Sequence, residues 1–555
     1  MPKNKTVAKQ KPKKNKLLLP NYLIYLFIGI LILLGISFNR ENLISIKKTL
    51  VPQPIVAPLP TYETININPF QNESNFTLPF AMPDIVQPIF PERACNIADY
   101  GAVADATTKN TQAIANAIAD CAKNGGGHVL IPKGAWLTGA VHLESNIDLH
   151  LNQGAVLIFS ADPNDYLPVV LSRYEGIDVY NYSPLIYANG KQNIAVTGNG
   201  RILGNGQAWL DFNNVAITHT LYDMGDKNVP IKNRVFGSAE KMLRPAFIEF
   251  INSNSILLED FSIENGPMWT VHPTYSQNII IRNISILTTG KNNDGIDVDS
   301  SKNVLIEDSR LNTNDDSIAL KSGKARDGLK VNRATENIII RNNVISNGHG
   351  GIAIGSEIAG GVQNVFMYNC SIIGNQYGIR LKGLENESVW ANNLWFQNIK
   401  MDKLLFNTIQ MTMHYGSDQA SGNTGVPVFQ NIHFSNIVSP HSHESIEIDA
   451  LENSPVEDVT IENSRLAAGA GVDLQNVNNF SLKTTTIQSK EAPIFTITNS
   501  RNVLLENPSC PLATKICAAV NGAATQNIQL PSKNPTTLQK KVQLSPEVSS
   551  DQVSF

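Results

Sequence analysis

Ser276-Gln-Asn-Ile-Ile-Ile-Arg-Asn-Ile-Ser-Ile286 decides the fold of this chain, because it sets two short apolar strands between polar turn positions. The same order of a polar residue, Asn, three apolar residues, another polar residue and a second Asn or Asp returns three times. These copies are Ser301–Leu311, Thr335–Ile345 and Val362–Ile372. Short β-branched runs bounded by Asn and Asp are typical of strands and turns, not of helices.

The Asn before each apolar run recurs at intervals of 25 to 38 residues. Its positions are Asn278, Asn303, Asn337, Asn364, Asn393 and Asn431. A period in this range indicates a solenoid, and the absence of helical spacing favours an all-β parallel β-helix. We expect the recurring Asn side chains to stack, so that each amide bonds the next. Between Thr108 and Lys123 the apolar positions Ile114, Ile118 and Cys121 predict one helix, which would cap the open strand edge of the first coil.

The N-terminal region has a different character. Leu17–Phe38 holds 22 residues without a charge, which is long enough to cross a bilayer as a helix. Seven lysines within residues 1–16 predict that this end stays in the cytoplasm and that the chain after Arg40 lies outside, in a periplasmic or extracellular space. A signal peptide, which would leave the protein secreted after cleavage, is the alternative.

These features divide the chain into five parts. Nine prolines between Val51 and Pro91 predict an extended linker, and the polar stretch after Gln526 lacks periodicity. The predicted parts are a basic cytoplasmic segment (1–16), a transmembrane signal anchor (17–38), a Pro-rich linker (39–82), the β-helix (83–525) and a disordered tail (526–555).

Composition excludes several classes of protein. The net charge is −4, so without the lysines of residues 1–16 the rest of the chain carries −11, which disfavours binding to nucleic acid. Five cysteines without CxxC spacing give no zinc motif, and we predict no metal or cofactor. Cys510 and Cys517 either close a small disulfide loop in an oxidising compartment or remain buried thiols.

Polar residues gather at one phase of the repeat. Asp294, in Asn292-Asn-Asp-Gly-Ile-Asp297, precedes Asp315 and Asp316 by 21 and 22 residues, and each precedes the same kind of strand. Equivalent positions in adjacent coils lie about 4.8 Å apart. The three carboxylates should therefore form one ridge. Glycoside hydrolysis needs such a group, with one carboxyl as acid and another acting on water or on the sugar.

Later coils add basic groups to this ridge. His349, in Asn347-Gly-His-Gly-Gly-Ile352, and then Arg380 and Lys382 precede or lie on the next strands at the same phase. Cations beside the acids suit a substrate that itself carries carboxylates. Asp297 and Asp299 are interpreted as turn or rim residues.

Four ordered motifs carry a family resemblance. Asn292-Asn-Asp294, Asn314-Asp-Asp316, Gly348-His-Gly350 and Arg380-Leu-Lys382 are similar to those of glycoside hydrolase family 28, the polygalacturonases, and the similarity covers Cys95–Leu505. The resemblance implies a right-handed parallel β-helix of the pectin-lyase-like type. It also implies inverting hydrolysis of α-1,4-linked galacturonic acid in pectin. Asn293 and Asn314 depart from the Thr and Gly that are common in the family.

Roles for individual residues follow from the resemblance. It assigns Asp315 as the acid, Asp294 and Asp316 as the carboxylates that activate water, and His349 as the group that assists the acid. Arg380, Lys382 and, less directly, Tyr415 correspond to residues that bind the substrate.

The mode of attack is expected at chain ends. Gly266–Pro273, Asn292–Ser300 and His349–Glu357 are most similar to the bacterial exo-acting branch of the family. Long segments without the repeat, within Ala161–Leu243, could close one end of the groove. The predicted pocket walls are Trp269, His272, Arg173 and Glu175.

Three other functions remain open on sequence alone. They are a rhamnogalacturonan hydrolase, a calcium-dependent pectate lyase and a non-catalytic polysaccharide-binding β-helix. The ordered His and Arg-x-Lys motifs disfavour the lyase, and a binding protein would not need clustered acids.

Overall fold

Strands of this chain pair in parallel with the strand of the same phase in the next coil, which builds a parallel β-helix. The computed structural model describes residues 78–555 except 213, 239, 417–423 and 512. Each complete coil contributes one strand to each of three faces. The faces are numbered in the order in which the chain passes through them.

The three faces have the following strands. Face 1 consists of β1 (Ala94–Asn96), β3 (Gly127–Ile131), β6 (Ile147–Leu151), β11 (Gln192–Thr197), β14 (Asn254–Glu259), β17 (Gln277–Arg282), β20 (Lys302–Glu307), β23 (Thr335–Arg341), β26 (Val362–Tyr368), β29 (Trp390–Asp402), β31 (Val428–Asp449), β32 (Val456–Glu462), β34 (Val477–Lys483), β37 (Arg501–Leu505), β39 (Gln526–Gln529) and β41 (Val553–Ser554). Face 2 consists of β2 (Asp105–Lys109), β4 (Gly134–Thr138), β7 (Ala155–Phe159), β12 (Arg201–Leu203), β15 (Ser262–Glu264), β18 (Ser285–Leu287), β21 (Arg310–Asn312), β24 (Val344–Ser346), β27 (Ser371–Ile373), β33 (Arg465–Gln475) and β35 (Thr486–Ser489). Face 3 consists of β5 (Val141–His142), β10 (Ile186–Asn189), β13 (Ile248–Ile251), β16 (Val271–Thr274), β19 (Ile296–Asp299), β22 (Ile318–Lys321), β25 (Gly350–Ile354), β28 (Tyr377–Lys382), β30 (Asn407–Thr412), β36 (Phe495–Thr498), β38 (Ala518–Asn521) and β40 (Val542–Leu544). The long strands turn corners: β29 continues into face 2, β31 through faces 2 and 3, and β33 into face 3.

A few elements stand apart from the coils. An antiparallel hairpin is formed by β8 (Val170–Tyr174) and β9 (Ile177–Asn181). The α-helices of the described residues are α1 (Thr111–Lys123), α2 (Val215–Asp226), α3 (Ala325–Val331) and α4 (Pro535–Gln539). Short 3-10 helices span Ile97–Tyr100, Pro163–Tyr166, Gly206–Phe212, Ile231–Asn233 and Ser550–Gln552.

The core runs along the inside of the coils. On face 3, Ile296, Ile318, Ile352 and Ile379 are partners in successive strands and are fully buried. Since neighbouring residues of a strand point to opposite sides, the residues between them face outward. Burial of each such side chain stabilises the fold by about 1.5–3 kcal/mol.

The predicted Asn stack is confirmed. Asn303 donates its amide to Asn278 at 3.1 Å, Asn337 donates to Asn303 at 3.1 Å, and Asn364 donates to Asn337 at 3.0 Å. The ladder continues through Asn393 and Asn431. Each of these residues has a left-handed backbone, with φ of +56° at Asn303. Asn is among the few residues that adopt this conformation at low cost, which explains its recurrence.

The predicted helix is also confirmed, with its first residue at Thr111. Ile114, Ile118 and Cys121 are buried, as the spacing indicates, and α1 packs on the first strands of the solenoid.

The prediction of a disordered tail over residues 526–555 is wrong. This segment adds β39, β40 and β41 to the last coils, with α4 between them. Ile528, Leu530 and Leu538 are buried, because the preceding coil offers both an open strand edge and an apolar surface. Burial of these side chains and strand pairing therefore order the segment, although its repeat is too weak to recognise in the sequence.

The predicted segments 1–16 and 17–38, and most of the linker 39–82, lie outside the described residues. Within the part of the chain that is described, no helix is long and apolar enough to cross a membrane. Residues 78–92 form no strand, but Ile85 and Phe90 pack on Leu257 and Ile280 of face 1.

Replacing Asn303 tests the ladder. Asn303→Ala loses two amide hydrogen bonds, about 1 kcal/mol each, and keeps a left-handed backbone that costs about another 1–2 kcal/mol. We therefore expect the free energy of unfolding to fall by about 3–4 kcal/mol. Asn303→Gly loses the same bonds without the backbone strain and should be more stable than the Ala variant. Equilibrium urea denaturation measures both, and equal stability of the two variants would contradict the left-handed requirement.

Candidate active site

The candidate site lies on the outer side of face 3 and in the turns that precede its strands. Asp294 precedes β19, Asp315 and Asp316 precede β22, and His349 precedes β25. Together these four residues line a cavity of about 300 Å³. Its wall also includes Trp269, Lys321, Glu357, Lys382 and Tyr415. The phase argument from the sequence is therefore confirmed for the carboxylates and the imidazole.

Asp316 is held as an ionised carboxylate. Lys382 Nζ lies 2.8 Å from its Oδ2, and the Gly350 N–H donates to its Oδ1 at 2.8 Å. Burial alone would raise the pKa of Asp316, but Lys382, Lys321 and His349 outweigh it and lower the pKa to about 2. This group therefore carries its charge throughout the neutral range.

Asp294 has the opposite character. Its side chain is nearly buried, at 4% exposure. Burial and the neighbouring carboxyl groups of Asp297, Asp315 and Asp316 raise its pKa well above the ordinary value, and Lys321 only partly opposes them. Two carboxyl groups of one cavity thus differ in their tendency to hold a proton, which is the condition for acid and base roles.

Asp315 is the most exposed of the three acids, with 29% of its side chain accessible. Its Oδ1 lies 3.7 Å from Nδ1 of His349. Arg380 Nη1 approaches the other ring nitrogen, Nε2, at 3.4 Å. A guanidinium can only donate, so Nε2 must accept and the proton of a neutral His349 resides on Nδ1, facing Asp315.

The basic groups of the next coil lie against aromatic rings. The guanidinium of Arg380 is 4.0 Å from the ring centroid of Tyr377 and 5.1 Å from that of Tyr415, and Lys382 Nζ is also 5.1 Å from the Tyr415 ring. Arg380 donates from Nε to Gln410 at 2.7 Å and is only 7% exposed. Lys382 lines the cavity directly, and Arg380 lies behind His349.

A wall outside the coils encloses part of the cavity. It comes from helix α2, through Val215, Thr218, His219 and Tyr222, and from Glu175 at the tip of the β8–β9 hairpin. The Tyr222 hydroxyl donates to Glu175, and Lys324 Nζ lies 4.7 Å from the Tyr222 ring centroid. This wall is built from the long segment within 161–243 that lacks the repeat.

Two of the predicted wall residues do not reach the cavity. His272 is fully buried, with Nδ1 3.6 Å from Glu249 and Nε2 3.7 Å from Asp299. Arg173 is buried with its Nε 3.0 Å from Asp299. Arg173 lies on the hairpin strand β8 and His272 on the solenoid strand β16, and both contact Asp299. They are therefore buried where the hairpin meets face 3. Trp269 and Glu175 line the cavity as predicted.

The interpretation of Asp297 and Asp299 as turn or rim residues is wrong, since both lie within β19 and are fully buried on its outward side. Asp299 pairs with Arg173. Asp297 is the charged neighbour that most raises the pKa of Asp294.

Sequence reasoning missed Lys321 and Glu357. Lys321 Nζ lies 2.7 Å from Glu357 Oε2 and donates to the Gly355 carbonyl at 3.0 Å. Strand alternation could have found Lys321. Ile318 and Leu320 of β22 point into the core, so Lys321, the residue after Leu320, points outward. Glu357 lies in the turn after β25, where no repeat fixes its direction.

Asp315, Asp316 and His349 bring potential metal ligands within 4.8 Å of one another. However, Asp316 is already bonded to the ammonium group of Lys382 and the Gly350 N–H. Lys321 adds a second cation at the same cavity. Ammonium groups beside these carboxylates disfavour a divalent cation at this position and offer partners to a ligand that carries a carboxylate.

Comparison with known proteins agrees with the geometry. The family model "Glycosyl hydrolases family 28" matches residues 121–492. A probable polygalacturonase of Vitis vinifera is 31% identical over 384 residues, which cover 67% of this chain and 73% of that protein. An exo-poly-alpha-D-galacturonosidase of Dickeya chrysanthemi is 27% identical, over 59% of this chain and 58% of the relative.

Solved structures give the same result. The exopolygalacturonase of Thermotoga maritima is 35% identical, with a TM-score of 0.69, over 72% of this chain and 93% of that one. A polygalacturonase from Erwinia carotovora shares the fold at 20% identity, with a TM-score of 0.51, over 77% of this chain and 99% of that one.

The Lys382–Asp316 pair should make stability depend on pH. The folded-state pKa of Asp316 lies below its ordinary value, so the pair stabilises the fold above about pH 4 and is lost as the pH falls toward 2. Both side chains are nearly buried. Lys382→Met should therefore cost about 3–5 kcal/mol at pH 7, and less as the pH falls below 4.

Urea denaturation of wild type and variant between pH 3 and pH 7 measures this difference. Lys302→Met, at an exposed lysine of face 1, is the matched control and should change little at any pH. A loss that stayed constant over this range would contradict the ionised pairing of Asp316.

Proposed function

Because the chain belongs to the glycosyl hydrolases of family 28, we propose that it is a polygalacturonase that cleaves α-1,4-linked galacturonic acid in pectin, by inversion and from chain ends. The observation that carries the proposal is the single cavity in which Asp294, Asp315 and Asp316 meet beside Lys321 and Lys382. The carboxyl groups supply the acid and base, and the ammonium groups suit a sugar that carries a carboxylate.

The roles divide according to environment. Asp316, which stays ionised, accepts the proton of the attacking water, and buried Asp294 helps to orient that water. Asp315 faces the open part of the cavity with His349 beside it, and donates its proton to the leaving oxygen. The resemblance supports this acid, although burial raises the pKa of Asp294 well above its ordinary value. The two residues can be separated by experiment, as described below.

Attack at chain ends rests on the wall formed by α2 and the β8–β9 hairpin. Thr218, Tyr222 and Glu175 line the cavity from outside the coils, and there they would stop a long polysaccharide from continuing. The named exo-acting proteins of Dickeya chrysanthemi and Thermotoga maritima support the same mode. The cationic groups favour polygalacturonate over the alternating, less charged rhamnogalacturonan.

A calcium-dependent lyase is the second candidate, because Asp315, Asp316 and His349 lie close enough to share an ion. The ammonium groups of Lys321 and Lys382 at the same cavity disfavour it.

We also propose that residues 17–38 anchor the enzyme with its catalytic domain outside the cytoplasm. The support is the uncharged length of this segment and the lysines that precede it. Pectic polymers are too large to enter a cell, so this placement would bring the enzyme to its substrate.

Variants of the two acids test the assignment of roles. Asp315→Asn should lower turnover of polygalacturonate by about 10²- to 10⁴-fold. An aryl galacturonide, whose leaving group needs no proton, should restore much of that rate. Asp294→Asn should lose activity on both substrates. The reverse pattern would move the acid to Asp294, and the thermal midpoint of each purified variant serves as the folding control.

Product analysis tests the reaction. With polygalacturonate in excess chelator, the enzyme should release mono- or digalacturonate and new reducing ends without ultraviolet absorbance. Viscosity should fall slowly relative to the reducing ends released, because internal bonds stay intact. Calcium dependence with unsaturated products would establish the lyase. A steep early fall in viscosity would refute attack at chain ends, and proton NMR that shows initial retention of the anomer would refute inversion.

Cell fractionation tests the anchor. In a bacterial host the full chain should sediment with membranes, resist an alkaline wash and be degraded by protease added outside the cytoplasm. A variant without residues 17–38 should remain soluble inside the cell. A mature N-terminus that begins after residue 38 would establish cleavage and secretion instead.

A further inference from the structure

Glu357 is a cavity carboxylate that the proposed chemistry does not use. Its Oε2 accepts from Lys321 Nζ at 2.7 Å, and its Oε1 accepts from the Ser356 hydroxyl at 2.9 Å. Lys324 Nζ lies 3.6 Å from Oε1. The side chain retains 12% exposure and lines the cavity, so each oxygen keeps a lone pair for a ligand.

The charge of Glu357 limits what it can bind. Burial alone would raise its pKa, but Lys321 and Lys324 outweigh burial and hold the pKa well below the usual range. Glu357 is therefore ionised at every working pH and can only accept hydrogen bonds. A galacturonate unit offers it hydroxyl groups, since the carboxylate of the sugar would be repelled.

The position of Glu357 marks the closed side of the cavity. The hairpin tip packs against it: a Cβ atom on Gly176 would lie 3.2 Å from the Glu357 Cβ and 2.8 Å from the Lys324 backbone nitrogen. The Lys324 N–H donates to the Gly176 carbonyl at 3.1 Å. Tyr222 of α2 covers Lys324. A polysaccharide therefore cannot continue past Glu357 without displacing this wall.

The unequal exposure of the three acids indicates which end of the substrate enters the cavity. Asp294 and Asp316, which act on the water that attacks the anomeric carbon, are 4% and 2% exposed, whereas the side chain of Asp315 is 29% exposed. Lys321, which bonds Glu357, lines the same cavity as the two buried acids. The sugar that is attacked therefore lies on the enclosed side, and the leaving chain extends past Asp315.

We propose that Glu357 determines specificity by accepting a hydrogen bond from the 4-hydroxyl of the non-reducing terminal galacturonate. Within a chain that oxygen is part of a glycosidic bond and has no proton to donate. Lys321 and Lys324 are positioning residues that hold the carboxylate ionised and aimed at the cavity. This inference rests on the proposed function and names the group that recognises the chain end.

Two trigalacturonates test it, one saturated and one with a 4,5-unsaturated non-reducing end, which lacks the 4-hydroxyl. Wild type should prefer the saturated trimer in kcat/KM. Glu357→Gln should lower kcat/KM for the saturated trimer by about 10-fold, because Gln offers one neutral acceptor oxygen in place of a carboxylate. It should leave the unsaturated trimer nearly unchanged, so the preference should disappear.

Controls separate recognition from folding. Glu336→Gln changes a glutamate of face 1 that bonds Gln363, and should keep the wild-type preference. Ser356→Ala removes only the hydroxyl that donates to Glu357 Oε1, so it should lower the preference for the saturated trimer less than Glu357→Gln does. If Glu357→Gln folds poorly, this milder variant still tests the inference, because its preference should fall below that of wild type.

Different failures have different meanings. A folded Glu357→Gln that keeps the wild-type preference would overturn the inference while leaving the hydrolase intact. Equal loss on both trimers would also overturn it, because Glu357 would then act through Lys321 on the acids. If wild type cleaved neither trimer nor polygalacturonate, the proposed function itself would fail.

Discussion

Parallel pairing of equivalent strands in successive coils is the constraint on which the rest of this structure depends. It fixes the distance between coils at about 4.8 Å and requires each position to meet its counterpart in the next coil. Apolar columns such as Ile296, Ile318 and Ile352 satisfy that requirement inside, and the Asn ladder satisfies it at the turns. A register slip of one residue would turn every isoleucine outward, so the same pairing that stabilises the core also fixes which residues face the substrate.

The site uses this spacing to concentrate charge. Carboxyl groups that are far apart in the chain are stacked in adjacent turns, where mutual repulsion and burial would protonate all of them. Lysines on the outward positions of β22 and β28 prevent this outcome. Lys382 keeps Asp316 ionised, whereas Asp294, with no such partner among the hydrogen bonds of the described residues, is driven toward its protonated form. The unequal distribution of cations, more than the cluster of acids itself, gives neighbouring carboxyl groups different tendencies to hold a proton.

Elements outside the repeat change an open groove into an enclosed cavity. The β8–β9 hairpin and α2 contact each other through Glu175 and Tyr222, and the buried ion pair of Arg234 and Asp327 at 2.6 Å links this region to α3. These contacts lie on the side of the cavity that holds Glu357. The wall can therefore both block the polysaccharide and support Glu357, which we propose binds the terminal sugar. The solenoid supplies the chemistry, and the insertions limit which substrates reach it.

The sequence by itself determined the features that have a regular spacing: the parallel coils, the Asn at each turn, the N-terminal helix and the ridge of Asp294, Asp315, Asp316 and His349. These could be predicted because a regular coil turns sequence spacing directly into distance. The tertiary structure alone decided that His272 lies beneath the surface, that Glu357 joins Lys321, that Tyr222 meets Glu175, and that residues 526–555 complete the solenoid. The physical reason is that these residues, or the residues that they contact, lie in insertions, turns or weak repeats. Their neighbours come from distant parts of the chain, and burial depends on those neighbours and not on local pattern.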